Sequence, residues 1–128
     1  MRKGIKAAIA IVGIVGLLGI GSAAIAKDGD VIKTGSCSGG SDWKLKLSPE
    51  NGKIEVEFEV DQNKVGDTWK VRILQNGDRI FRATKVTQGA SGSFEVRTVA
   101  PNTSGTDTFR AFARNLSTDE TCSARATF

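Results

Sequence analysis

Histidine and tyrosine are absent from this 128-residue chain, and cysteine and proline occur only twice each. Without histidine there is no Ser-His-Asp or Cys-His arrangement for nucleophilic catalysis. Zinc sites built on imidazole are excluded for the same reason, and a thiolate-only site needs more than two cysteines. Neither a phosphate-cradling P-loop nor a dinucleotide fingerprint is present. No cofactor and no metal are expected, and the chain does not read as an enzyme. Charge of one sign is also missing once the chain is divided. Its net charge of +4 rests on Arg2, Lys3 and Lys6, and residues 27–128 carry 15 basic and 14 acidic side chains. A basic total of that size gives no reason to expect nucleic acid as a partner.

What is present begins with residues 1–26. Arg2, Lys3 and Lys6 precede an apolar run from Ala7 to about Ile20, and the small residues Ala24 and Ala26 then flank Ile25 ahead of Lys27 and Asp28. A basic start, an apolar middle and a small-x-small site describe a cleavable secretory signal. The expected localisation is secreted, or extracellular. The alternative is an uncleaved segment that anchors the domain in a membrane, which the length of the run allows.

Residues 27–41 are rich in Gly and Ser and read as a flexible lead-in. Within them lies Cys37, whose only possible mate is Cys122. In an exported protein such a pair is expected to form a disulfide rather than two free thiols. The bond would close a loop of roughly 85 residues, for a stabilisation of about 4–5 kcal/mol in the chain-entropy picture.

Residues 42–128 follow a period of two. Ile54, Val56, Phe58 and Val60 alternate with Glu55, Glu57, Glu59 and Asp61, the pattern of a strand with one face in a core and one in water. Trp43, Leu45 and Leu47 alternate with lysines, and Trp69, Val71 and Ile73 alternate with Lys70 and Arg72. Phe94 and Val96, then Phe109, Ala111 and Ala113, then Cys122, Ala124 and Ala126 continue the pattern. Gln75, Asn76, Gly77 and Asp78 signal a hairpin. After it, Ile80 and Phe81 point to opposite faces and leave the facing of that strand open. Seven strands at roughly twelve-residue spacing, with no helix after residue 26, predict an all-β fold. A seven-stranded antiparallel immunoglobulin-like sandwich is expected, with a small β-barrel as the alternative.

The run Cys37-Ser-Gly, the stretch Trp43 to Pro49, the strand Ile54 to Val60 and the closing Thr121-Cys122 carry a resemblance that covers nearly all of residues 37–128. The chain resembles an immunoglobulin or fibronectin type III-like domain, and is similar to small secreted proteins of actinobacterial type with no assigned function. The resemblance implies a fold and an exported life, and no activity. Neither cysteine falls on the second or sixth strand, where antibody domains hold theirs.

Several constellations have a plain structural reading. Glu55, Glu57 and Glu59 are spaced like a carboxylate pair, but they line one strand face, where a solvated surface suffices. Asp61, Asn63, Gly66 and Asp67 superficially match a calcium loop, with Val65 and Arg72 standing where oxygen ligands belong. The sequons at Asn102 and Asn115 fall in or beside turns, and matter only in a glycosylating host.

The sharpest candidate comes from laying the strands into a sandwich. The third, sixth and seventh strands would share one sheet. Its outward residues would then be Lys70, Arg72, Arg110, Phe112, Arg114 and Arg125, with no acid among them. Arginine and aromatic residues carry much of the binding energy at interfaces. This face is the candidate site for an anionic partner, such as a cell-envelope polymer, lipid head groups or an extracellular protein. The competing reading is that Arg and Lys stems merely cover apolar surface, Phe112 included. A second expectation is an enzyme inhibitor presenting residues 87–93 or 101–106 as a loop.

Overall fold

The computed structural model describes residues 28–128. The expected signal and its cleavage site at Ala24 and Ala26 lie outside the described residues. The strands are β1 (Val31–Ser36), β2 (Asp42–Glu50), β3 (Lys53–Asp61), β4 (Thr68–Gln75), β5 (Asp78–Val86), β6 (Ser93–Pro101), β7 (Thr108–Asn115) and β8 (Thr121–Thr127). They form two antiparallel four-stranded sheets, in the orders β1-β2-β3-β6 and β5-β4-β7-β8. The sheets do not close into a barrel. The all-β sandwich expected from the period-two pattern is present, with eight strands in place of seven. The arrangement is compatible with an immunoglobulin-like sandwich.

The extra strand is β1, and it corrects the reading of residues 27–41 as a flexible lead-in. Val31–Ser36 pairs with β2 in unbroken register, from Val31 opposite Leu47 to Ser36 opposite Asp42. Its side chains gave no alternation to read. Its inward positions are Val31, Lys33 and Gly35, and only Val31 is a large apolar residue. Gly35 is required by packing, because a Cβ there would stand 2.5 Å from the Trp43 ring.

The core fills the space between the sheets. Leu45, Leu47, Ile54, Val56, Phe58 and Val60 enter from one side, and Trp69, Ile73 and Phe109 from the other; all are fully buried. Trp69 lies 5.8 Å from the Phe94 ring, and its indole N–H donates to Gln62 Oε1 at 3.0 Å. Asn76 and Gly77, both at positive φ, turn β4 into β5, as a two-residue hairpin demands. The register then slips between Ile73 and Leu74. Ile73 faces Phe81 while Leu74 faces Arg79, so Ile80 is an extra residue. This β-bulge is why Ile80 and Phe81 break the alternation; both pack against the core.

Cys37 and Cys122 are joined, with their Cα atoms 4.4 Å apart. Beside the bond, the Glu120 carboxylate accepts from the Gly39 and Ser41 amides at 2.9 and 2.8 Å and from the Ser41 hydroxyl at 2.9 Å. Two loop ends are fastened in a similar way. Asp67 accepts from Gln62 Nε2 at 2.6 Å and Asn115 Nδ2 at 3.0 Å. Asp107 accepts from the Thr103 amide at 2.9 Å and Asn76 Nδ2 at 2.8 Å. Among the described residues no helix is long and apolar enough to cross a membrane.

Candidate functional site

Strands β4, β7 and β8 do share one sheet, so the six candidate residues lie on one outward face. Each follows from the pleat. Trp69, Val71 and Ile73 are buried, which turns Lys70 and Arg72 outward; Phe109, Ala111 and Ala113 are buried, which turns out Arg110, Phe112 and Arg114. Ala124 and Ala126 do the same for Arg125.

The register arranges these side chains in rows across the sheet. One row runs Thr84, Lys70, Arg114, Thr121; the next runs Arg82, Arg72, Phe112, Ser123; the third runs Arg79, Leu74, Arg110, Arg125. Arg79 and Arg82 were not readable as members of the face, because the bulge at Ile80 hides the facing of β5. Three pairs of directly opposed residues are both cationic: Lys70 with Arg114, Arg72 with Arg82, and Arg110 with Arg125. No carboxylate occupies an outward position on these four strands. At the rim an ion pair joins Arg114 to Asp119 of the β7–β8 turn at 2.7 Å.

Phe112 sits near the middle of the face and is half-buried. The Arg72 guanidinium lies 4.3 Å above its centroid, and that of Arg110 lies at 5.6 Å. Such stacking leaves the guanidinium edges, with their N–H donors, available to an incoming acceptor. Between the side chains runs an open groove of about 810 Å³, lined by Lys70, Arg72, Arg79, Arg82, Phe112, Arg114 and the hydroxyls of Thr84, Thr121 and Ser123. The lining combines fixed positive charge with hydroxyl donors, which suits recognition of phosphate, sulfate or carboxylate groups.

The other sheet carries its charge differently. Lys44 faces Glu59, Lys46 faces Glu57, and Glu57 faces Arg97. Lys44 and Glu59 approach to 3.8 Å, and Arg97 closes on Glu55. These pairs set opposite charges against each other, which stabilises the sheet, while Glu59 also faces Glu95 and Asp42 faces Asp61. Glu55 departs from the solvated face expected of all three glutamates, since it is buried beneath the Arg97 pair.

The residues of the calcium-like stretch serve the fold. Asp61 accepts from the Asn63 amide at 3.1 Å, and Asp67 is turned toward Gln62, Asn115 and Lys64. Both carboxylates Asp67 and Asp107 are held below their ordinary value of 3.8. The Asn115 and Gln62 amides are the leading causes for Asp67, and the Thr103 hydroxyl for Asp107. Asn115 itself is fully buried, which removes the second sequon from use.

The loops proposed for an inhibitor are both tied back. Thr87 is buried and its hydroxyl accepts from the Asp67 amide at 3.1 Å. Gly92 packs so closely on Lys64 that a Cβ would meet its backbone at 2.3 Å. In the 101–106 loop, Pro101 accepts from Gln75 Nε2 at 2.7 Å and Thr103 is bonded to Asp107.

No family model matches this chain, and neither a curated protein nor a solved structure matches it.

Proposed function

We propose that this domain is a non-catalytic binding module that works outside the cell and docks an anionic partner on the outer face of the β5-β4-β7-β8 sheet. The observation that carries the reading is the set of three like-charged cross-strand pairs around Phe112. Like charges directly opposed across strands destabilise a sheet. Residues 27–128 are nearly balanced in charge, and the opposite sheet carries both signs on its outer face, where Lys44, Lys46 and Arg97 stand among the acids that include the like-charged pairs Glu59–Glu95 and Asp42–Asp61. Solubility alone therefore gives no reason to gather the cations on one face whose strands present no acid, with Asp119 pairing Arg114 only at its rim. A partner that supplies the missing negative charge does. The disulfide and the signal-like residues 1–26 support an exported life.

The test is retention on immobilised inorganic polyphosphate at low and physiological salt, with the wild-type protein and the double variant Arg110→Glu/Arg125→Glu. The wild type should be retained and eluted by salt, because exposed charge pairs are screened. The double variant should flow through while keeping its thermal midpoint. Equal retention of the two proteins would overturn the proposal.

A further inference from the structure

The basic rows do not end in polar surface on both sides. Beyond the Lys70 row lies one more row of the same face, in which Thr68 stands opposite Val86 and its carbonyl accepts from the Leu116 amide at 2.9 Å. Val86 is 42% exposed and Leu116 is 41% exposed. The β3–β4 connection reaches the same end, where the Gly66 amide donates to the Thr87 carbonyl at 2.9 Å, and it carries Val65 at 60% exposure. Three aliphatic side chains from three separate segments are thus left in water at one end of one sheet. The other exposed large apolar residues among those described, Ile32 and Val99, stand apart on β1 and β6, which are not neighbours in the opposite sheet. The turns are otherwise polar at both ends, with Asn51, Gly52, Asn76, Gly77 and residues 102–106 at the far end and Asn63, Lys64, Ser117, Thr118 and Asp119 around the aliphatic residues. A lone exposed valine needs no explanation, but a gathered set next to a charged face marks an interaction surface.

Resting on the reading of the basic face given above, we infer that the anionic partner is a lipid bilayer, entered by the Val65–Val86–Leu116 end. The dimensions fit. Strand rise is about 3.3 Å per residue, so the Lys70–Arg114 row lies about 7 Å from the apolar row and the Arg72–Arg82 row about 13 Å. An interfacial element buries its apolar side chains about 5–10 Å into the boundary between head groups and acyl chains. With the three aliphatic residues at that depth, Lys70 and Arg114 reach the phosphates. Arg72 and Arg82 then remain within about 10 Å of the charged surface, inside one Debye length. A soluble polyanion uses the groove and has no need of the apolar end. A bilayer uses both, gaining from burial of Val65, Val86 and Leu116 as well as from the cations.

The experiment compares three proteins in the form the producing cell makes, with the N-terminus fixed by intact mass: wild type, Val65→Ser/Val86→Ser/Leu116→Ser, and Arg72→Glu/Arg110→Glu. Each is sedimented with phosphatidylcholine vesicles, with vesicles containing phosphatidylglycerol, and separately titrated with soluble polyphosphate. The wild type should partition onto the anionic vesicles and not the neutral ones. The serine variant should lose at least about tenfold in vesicle partitioning, with polyphosphate binding kept within about twofold. The glutamate variant should lose at least about tenfold on both probes, since a basic residue near an anionic surface contributes about fivefold. Serine-variant binding to anionic vesicles equal to wild type would overturn the lipid inference and leave the basic face standing. Glutamate-variant binding equal to wild type on both probes would overturn the basic face and the inference with it. Equal wild-type binding to neutral and anionic vesicles would overturn the charge-directed docking.

Discussion

Arg72 and Phe112 are direct cross-strand neighbours, and the guanidinium of one lies 4.3 Å above the ring of the other. On its second side Arg72 faces Arg82. One arginine is thus held by an aromatic ring on one flank and opposed by a like charge on the other.

That opposition has a measurable consequence. Arg82→Glu would turn a repulsive pair into an attractive one and should stabilise the fold by about 0.2–1 kcal/mol. The same change should weaken binding to polyphosphate. Urea denaturation alongside the retention assay checks both, and a stability gain coupled to a binding loss would identify Arg82 as a residue kept for its partner rather than for the sheet.

The Cys37–Cys122 bond closes 85 positions of chain. Cys37→Ser/Cys122→Ser should cost about 4–5 kcal/mol, chiefly by releasing the unfolded chain. Reductant should lower the urea midpoint of the wild type and leave that of the double variant unchanged.

Glu120 fastens the turn that follows β1 through three accepted hydrogen bonds. Glu120→Ala leaves the Ser41 amide buried without its partner and should cost about 1–3 kcal/mol. Hydrogen exchange should quicken at Gly39 and Ser41 first, ahead of the β3 and β4 amides.

Asp67 and Asp107 bring a pH dependence whose direction follows from their lowered values. In the folded state both hold a proton less tightly than in the unfolded chain. Their contribution is therefore complete above the unfolded carboxylate value of about 3.9 and is lost as pH falls through the folded values. The urea midpoint should drop below about pH 4, and Asp67→Asn with Asp107→Asn should flatten that drop. Little should change on the alkaline side through these two groups.

The parts of this molecule that were legible in its sequence are those where one strand face is buried along its whole length. β3 shows it best: Ile54, Val56, Phe58 and Val60 are all fully buried, and the alternation states the facing without help. The same logic gave β4, β7 and β8, and through them the six candidate residues. β5 was legible as a strand but not in its facing, because one extra residue, Ile80, reverses that facing partway, which hid Arg79 and Arg82. β1 was illegible because, although Val31, Ile32 and Thr34 favour a strand, its core-facing positions Val31, Lys33 and Gly35 give no apolar alternation, and its place is fixed by pairing with β2. Glu120 and the apolar end gave no signal at all. Their roles arise from neighbours some 80 positions distant in the chain for Glu120, and from three segments meeting at one end for Val65, Val86 and Leu116.

The disulfide also decides how this protein would carry mechanical load. A pull applied between the segment preceding Cys37 and the C-terminal residue Phe128 passes from Cys37 straight into Cys122. Strands β2 to β7 lie within the closed loop and are not extended by that pull. Only β1 and the remainder of β8 lie on the loaded line. A domain stretched between an attachment at its N-terminal side and something gripping its C-terminus would peel at those two strands and keep its core and its β4–β7 surface unextended until the sulfur–sulfur bond was broken or reduced.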